Sequence, residues 1–318
     1  MSVHIVIKSV GYLPCIGGIL TVVLFFRRRH IFNLKEIKKM LKCDLLIIDP
    51  QVDFCDPQKG TLVVPGADKD CERLATMIKR IGPRLNDIHV TLDTHHYFDI
   101  AHPSFWIGKD GKNPSPFTTI TLESIKNGTW RTSIAAFFDK RTMKAHGADR
   151  DGAVEYVEKL AANKRYDLMI WPPHCLIGSY GATVMPVVWD ALHEFEVLHK
   201  TAFVDFVTKG SNFWTEHYSA VKAEVVDPED PSTDLNTHLI ETLQNVDLIG
   251  ISGEALSHCV ANTVRDIANN FGEENIKKFV LIEDTSSNVA NCDALGDDFI
   301  REMKGRGMQI ARSTDFMA

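Results

Sequence analysis

Glu254-Ala255-Leu256-Ser257-His258-Cys259 follows directly on the apolar run 246–251, and beyond it Val260, Val264, Ile267 and Ala268 repeat at helical spacing. This pattern carries Cys259 from the end of a buried strand to the start of a helix, where backbone N–H groups favour a thiolate and can hold an oxyanion. A free cysteine is just as often a packed core residue, so its chemistry depends on its company. Two other apolar runs end in charge. Leu45-Leu46-Ile47-Ile48 ends in Asp49, and residues 203–207 lead through Thr208 into Lys209-Gly210. An ionised acid at the mouth of a buried strand is costly unless it is hydrogen-bonded, paired or acting as a base; a capping role is its bland alternative, and Asp53 fits that structural role better. Lys209 alone reads as a solvated surface lysine. If the three strands share one parallel sheet, Asp49, Lys209 and Cys259 converge. The lysine would then lower the pKa of acid and thiol, and the aspartate could take and return the thiol proton.

A second set suits a metal ion. Asp93-Thr94-His95 closes the run 88–92, and Trp171-Pro172-Pro173-His174-Cys175 closes the run 168–171. An Asp and a His two apart in an extended segment point the same way, and an imidazole from a neighbouring strand end would complete a facial set for Zn²⁺, Mn²⁺ or Fe²⁺. His96 and His102 compete for the same role, solvated histidines being the ordinary alternative. Cys175 reads as a packed thiol and His258 as a wall residue.

The elements that must position these residues alternate along the chain. Strands are expected at 44–48, 88–92, 168–171, 203–207, 247–251, 279–282 and 308–311, and helices at 69–85, 183–196, 235–244, 260–270 and 295–304. Such alternation predicts an α/β fold, a mainly parallel sheet with helices on both faces, whose ligand crevice lies beyond the carboxyl ends of the strands. Between Leu92 and Leu168 the pattern breaks into a long Pro-, Gly-, Thr- and Ser-rich stretch, expected to be a lid, a binding loop or a contact with a second copy in a homo-oligomer. The seven cysteines of this 318-residue chain are scattered, with no C-x-x-C spacing, which points to free thiols in a reducing, cytoplasmic setting.

Charge is uneven. Lys8, Arg27, Arg28, Arg29, Lys35, Lys38 and Lys39 against Glu36 give residues 1–41 a net +6, leaving −13 for the body from the total of −7. An acidic body argues against nucleic acid as a partner. The uncharged run 10–26, closed by three arginines, is at the short limit for a membrane span, and the arginines would hold the rest on the cytoplasmic side; a leader with no part in the fold is the alternative. The expected division is therefore 1–41 as a hydrophobic and basic segment and 42–318 as one catalytic domain.

With these positions assembled, the body resembles the nicotinamidase branch of the isochorismatase-like cysteine hydrolases. The resemblance rests on Ile48-Asp49-Pro50-Gln51-Val52-Asp53-Phe54, Asp93-Thr94-His95, Trp171-Pro172-Pro173-His174-Cys175, Lys209-Gly210 and Gly253-Glu254-Ala255-Leu256-Ser257-His258-Cys259-Val260, in the family's order across 42–312. It implies a Cys259 nucleophile, an Asp49 general acid/base, Lys209 holding their charges, and Asp93, His95 and His174 binding one divalent metal, zinc first, with manganese or iron as alternatives. It also implies a six-stranded sheet, a cis peptide before Ala255, an oxyanion hole from the Ala255 and Cys259 amides, and Phe54 and Trp171 flanking a pyridine ring. Thr94, His96 and Glu254 depart from the family's usual Trp, Pro and apolar residue, and the stretch from His95 to His174 is longer than usual.

The implied activity is hydrolysis of a small carboxamide, nicotinamide foremost, to acid and ammonia through a cysteine thioester, a step in pyridine nucleotide salvage. Two rivals remain at this level: the same chemistry on another amide or ureide, and a non-catalytic relative tethered to a membrane through 10–26.

Overall fold

The computed structural model describes residues 41–133, 152–200 and 202–318. The chain divides into two units, Met1–Met40 and Leu41–Ala318, and everything below concerns the second. The apolar run 10–26 lies outside the described residues, among which no helix is long and apolar enough to cross a membrane.

In chain order the main elements are β1 (Cys43–Ile48), α1 (Ala67–Ile81), β2 (Asp87–Asp93), β3 (Trp106–Gly108), β4 (Thr119–Ile120), β5 (Trp130–Thr132), α2 (Gly152–Asn163), β6 (Leu168–Met169), α3 (Pro186–His199), β7 (Asp205–Lys209), α4 (Thr237–Gln244), β8 (Leu248–Gly253), α5 (Ala261–Asn269), β9 (Phe279–Ile282), α6 (Asp293–Arg306) and β10 (Gln309–Ala311). Six strands form one parallel sheet in the order β10-β9-β8-β1-β2-β7, wrapped by helices on both faces. β1 lies inside the sheet with every residue buried, which is why its sequence is a continuous apolar run rather than an alternating one. Helix α1 buries Leu74, Ala75, Met77, Ile78 and Ile81 on one stripe, the spacing of a helix packed on one face.

The strand order places the carboxyl ends of β7, β2, β1 and β8 side by side. Registers pair Asp93 with Lys209 and Ile48 with Gly253, so the residues just beyond these ends meet over one edge of the sheet. Gly253 makes that approach possible: it has φ +113°, and a Cβ there would lie 2.0 Å from the Ile48 carbonyl oxygen. Only glycine tolerates both.

Two expectations fail. Residues 168–171 do not add a strand to the main sheet; β6 is two residues long and pairs antiparallel with β4. Ile170 and Trp171 instead donate their N–H groups to Thr118 and Ala101, and Pro172-Pro173 has no N–H to continue a ladder. The long stretch after β2 is also more ordered than expected. It contains the antiparallel pair β3–β5 and helix α2, whose Ala153, Tyr156, Val157 and Leu160 are buried.

Candidate functional site

Lys209 is the hub of the carboxyl end. Its side chain is buried, and its Nζ donates to Asp93 Oδ1 at 2.9 Å, to the His217 carbonyl at 2.7 Å and to Cys259 Sγ at 3.7 Å. Asp49 Oδ2 lies 3.1 Å from the same ammonium, a buried ion pair. Asp49 Oδ1 accepts from Thr91 Oγ1 at 2.5 Å, which fixes the carboxylate plane. The three residues expected to converge therefore do so, from the ends of β1 and β7 and the turn after β8.

The electrostatics differ from the sequence expectation. Lys209 was expected to lower both partners. Burial pushes the Asp49 carboxyl above its ordinary range, Asp93 adding to this against Lys209 and Thr91. Burial likewise raises the Cys259 thiol well above its usual value; Lys209 opposes, while the charges of Asp49 and Asp93 and a hydrogen bond to Asp49 add to the rise. Desolvation of three packed groups exceeds what one ammonium returns. Lys209 itself stays charged, because Asp49 and Asp93 outweigh the burial that opposes its charge.

Cys259 sits in a wide helical turn, Leu256–Val260, closed by Val260 N–H to the Ala255 carbonyl, that runs straight into α5. The helix thus begins earlier than the sequence spacing suggested, and the Glu254–Ala255 peptide is cis. Wide turns of this kind recur at functional sites.

Asp93, His95 and His174 offer ligand atoms all within 4.8 Å of one another. His95 Nδ1 faces Asp99 Oδ2 at 3.0 Å, and His174 Nδ1 lies 2.9 Å from the Pro172 carbonyl. Both rings turn Nε2 inward, toward Asp93 Oδ2 at 2.9 and 3.3 Å. A carboxylate oxygen between two imidazole nitrogens is held by protons on those nitrogens or by a cation, and an Nδ1 facing outward to a carboxylate or carbonyl is how metal-binding histidines are held. The residues present fit a divalent ion. Despite burial, the carboxylates of Asp93 and Asp99 hold His95 well above its ordinary value, and despite burial, His95 and Lys209 hold Asp93 well below; a divalent ion taking these three atoms would displace the imidazole proton that this charge favours. His96 is exposed, outside this cluster. His102 stands behind it with Nε2 3.4 Å from His174 Nδ1, and burial lowers its pKa to about 4.

A cleft opens over these groups, lined by Phe54, Asp93, Trp171, His174, Ala255, His258 and Cys259 among others. Trp171 is held by its Nε1–H to Tyr218 Oη at 3.1 Å, and His258 packs edge-on against it. Asp53 points away from the cleft: its carboxylate accepts the Thr61 and Cys175 amides and braces the wall.

Residues not singled out in the sequence complete the wall. Glu216, His217 and Tyr218 line the cleft, Glu216 Oε2 and His217 Nδ1 are buried without partners, and burial lowers His217 to about 4. They lie in a loop without periodicity; the one available signal was an acid and an imidazole a few residues beyond Lys209-Gly210.

No family model matches the sequence, and no curated protein matches it. Solved structures do. The yeast nicotinamidase Pnc1p bound to the inhibitor nicotinaldehyde aligns with a TM-score of 0.55 and 19% identity, covering 85% of this chain and 99% of its own. A nicotinamidase/pyrazinamidase of Acinetobacter baumanii aligns with a TM-score of 0.55 and 19% identity, covering 88% of this chain and 100% of its own. This likeness, together with the six-stranded parallel sheet wrapped by helices, makes the second unit an isochorismatase-like α/β fold.

Proposed function

We propose that this protein hydrolyses a small carboxamide to its acid and ammonia through a thioester on Cys259, with nicotinamide as the first substrate. The observation that carries the reading is the buried Lys209 ammonium within reach of Asp49, Asp93 and Cys259 at the floor of an aromatic cleft. The fold shared with nicotinamidases supports it.

Asp49 takes the Cys259 proton as the sulfur attacks the amide carbon, with Lys209 stabilising the separated charges. The C–S bond forms, the carbonyl pair moves onto oxygen, and the Ala255 and Cys259 amides face that oxyanion. As the carbonyl re-forms, the C–N bond breaks and Asp49 returns the proton to the departing nitrogen, releasing ammonia. Water then attacks the thioester, Asp49 accepting its proton, and the C–S bond breaks to free the acid and restore the thiol. Because burial raises both Asp49 and Cys259, the resting pair keeps its proton until substrate arrives. Phe54 and Trp171 would hold the ring between them. Asp93, His95 and His174 would hold one divalent ion, zinc foremost, which when bound supplies a fixed positive charge and Lewis acidity for a ring heteroatom.

A second reading keeps this chemistry and changes the substrate to another amide or ureide; the unpartnered Glu216 Oε2 and His217 Nδ1 in the cleft favour it, since such atoms select ligands that pair with them. Ammonia release across an amide and ureide panel, with and without chelator, tests both. Turnover of nicotinamide supports the first, turnover of other amides alone supports the second, and release from none of them ends both.

A further inference from the structure

Glu254 is a buried acid beside the nucleophile's turn, where the sequence resemblance calls for an apolar residue. Its Oε2 accepts the Ser287 amide at 3.0 Å, and the Ser287 carbonyl accepts the Leu256 amide at 2.8 Å. Ser287 Oγ in turn donates to Asp70 Oδ2, while Arg73 donates to Asp70 Oδ1 and to the Asp284 carbonyl. Two residues further, the Val289 amide donates to Ser257 Oγ at 3.1 Å, and Val289 lines the cleft. The loop after β9 is thereby tied on one side to the turn that holds Ala255 and Cys259, and on the other to the first turn of α1.

We infer that Glu254 is a positioning residue: through Ser287 it clasps the loop 286–289 against the turn 255–259, fixing both the two amides that face the reacting oxygen and the Val289 wall of the cleft. The inference rests on the proposed amide hydrolysis, because it assigns the clasp to the step in which charge develops on that oxygen. Burial, with the charge of Asp70 adding to it, holds Glu254 well above the carboxylate range, and its Oε1 is buried without a partner. Glutamine, a neutral isostere with an acceptor and a donor, should therefore serve nearly as well. Leucine fills the space but accepts nothing, so the Ser287 amide loses its partner and the turn its anchor.

The experiment compares Glu254→Leu, Glu254→Gln and wild type in the full chain. Small displacements of positioned groups cost up to roughly 10²-fold, so Glu254→Leu should lower kcat about 10- to 100-fold with KM within about 3-fold of wild type, and Glu254→Gln should recover kcat to within about 3-fold. A carboxamide-to-aldehyde analogue, whose tetrahedral adduct with Cys259 places an oxygen at the same amides, should lose affinity in parallel with kcat, while the acid product binds unchanged. A leucine variant with wild-type kcat, or a kcat loss that glutamine does not rescue, overturns the clasp. Should the leucine variant fail to fold, Glu254→Met, a slimmer apolar side chain that likewise offers the Ser287 amide no carboxyl oxygen, is read the same way, and an unchanged kcat overturns the assignment. If wild type releases ammonia from no amide, the hydrolase reading fails by itself, and the clasp is then judged by hydrogen exchange of residues 255–260. Faster exchange in Glu254→Leu but not in Glu254→Gln upholds it, and equal exchange in all three overturns it.

Discussion

The two ends of β1, β2 and β7 carry comparable loads of charge and put them to different use. At the amino end, Asp44, His89 and Asp205 form a chain across the three strands: His89 Nε2 meets Asp44 Oδ2 at 3.2 Å, His89 Nδ1 meets Asp205 Oδ2 at 2.9 Å, and Asn86 satisfies Asp44 Oδ1 at 2.8 Å. Both imidazole nitrogens are engaged, and the cluster is closed. At the carboxyl end, Asp49, Asp93 and Lys209 are all as deeply buried as Asp44 and His89, whereas Asp205 is half exposed; a thiol lies 3.7 Å from the ammonium, and an aromatic cleft opens above. Buried charge by itself is thus a structural fact; it becomes a candidate for chemistry where it faces a nucleophile and a space for a ligand.

The largest effects should fall at the open end. Cys259→Ala removes the atom that forms the proposed thioester, and ammonia release should fall roughly 10⁴-fold or more, with circular dichroism and thermal midpoint close to wild type because one buried sulfur is a small packing loss. A variant that keeps most of its turnover would break the comparison outright, leaving the carboxyl end as closed as the amino end. Next is Asp49→Asn, which keeps shape and hydrogen bonding to Thr91 but cannot carry a proton; a loss of about 10² to 10⁴ in kcat is expected, measured on the same ammonia assay.

How far this contrast could be read from the chain depends on the residue. Asp49, Lys209 and Cys259 were legible because each terminates an apolar run long enough to be a buried strand, and a parallel sheet gathers such ends by construction. His174 was legible as a candidate ligand, but its support was misread: a four-residue apolar run ending in Pro172-Pro173 looks like a strand, and it lines the cleft as a connecting segment instead. Helix α2 did leave its trace, since Ala153, Tyr156, Val157 and Leu160 are spaced for one helical face, but the polar stretch around it masked the period. Glu216 and His217 left only an acid and an imidazole a few residues beyond Lys209-Gly210, and Asp99 left none. They lie in loops, where position follows from tertiary packing and no repeat marks which side chain turns inward. The sign of the Asp49 and Cys259 shifts was also beyond the sequence, because it depends on how completely those groups are desolvated.

A smaller effect separates the metal-suited set from a merely paired one. Asp99 meets the outer nitrogen of His95 and the Ala101 amide, so Asp99→Ala leaves all three ligand atoms in place and frees the imidazole's orientation and tautomer. Divalent-ion affinity, measured by calorimetry on metal-stripped protein, should weaken about 10- to 100-fold. Equal affinity in variant and wild type would mean that Asp99 serves only to pair with His95, as Asp205 pairs with His89 at the other end.

The smallest effect belongs to the closed end and should appear in stability alone. Burial pulls the His89 imidazole down, but hydrogen bonds and charges from Asp44 and Asp205 outweigh it, so in the folded protein it titrates above its ordinary 6.5. A folded value above the unfolded one means that the stabilisation from this group is fully present below about pH 6.5 and is lost as pH rises through the folded value. His89→Ala should cost about 1 to 3 kcal/mol at pH 6, chiefly because Asp44 is left buried without its partner, and the cost should shrink toward pH 9. Denaturant unfolding of both proteins across that range measures it. Turnover at 25 °C should stay near wild type, since β1 and β2 separate His89 from the cleft by their own length. A marked fall in kcat with unchanged stability would show that the two ends are coupled through the strands and that the amino-terminal cluster is part of the site after all.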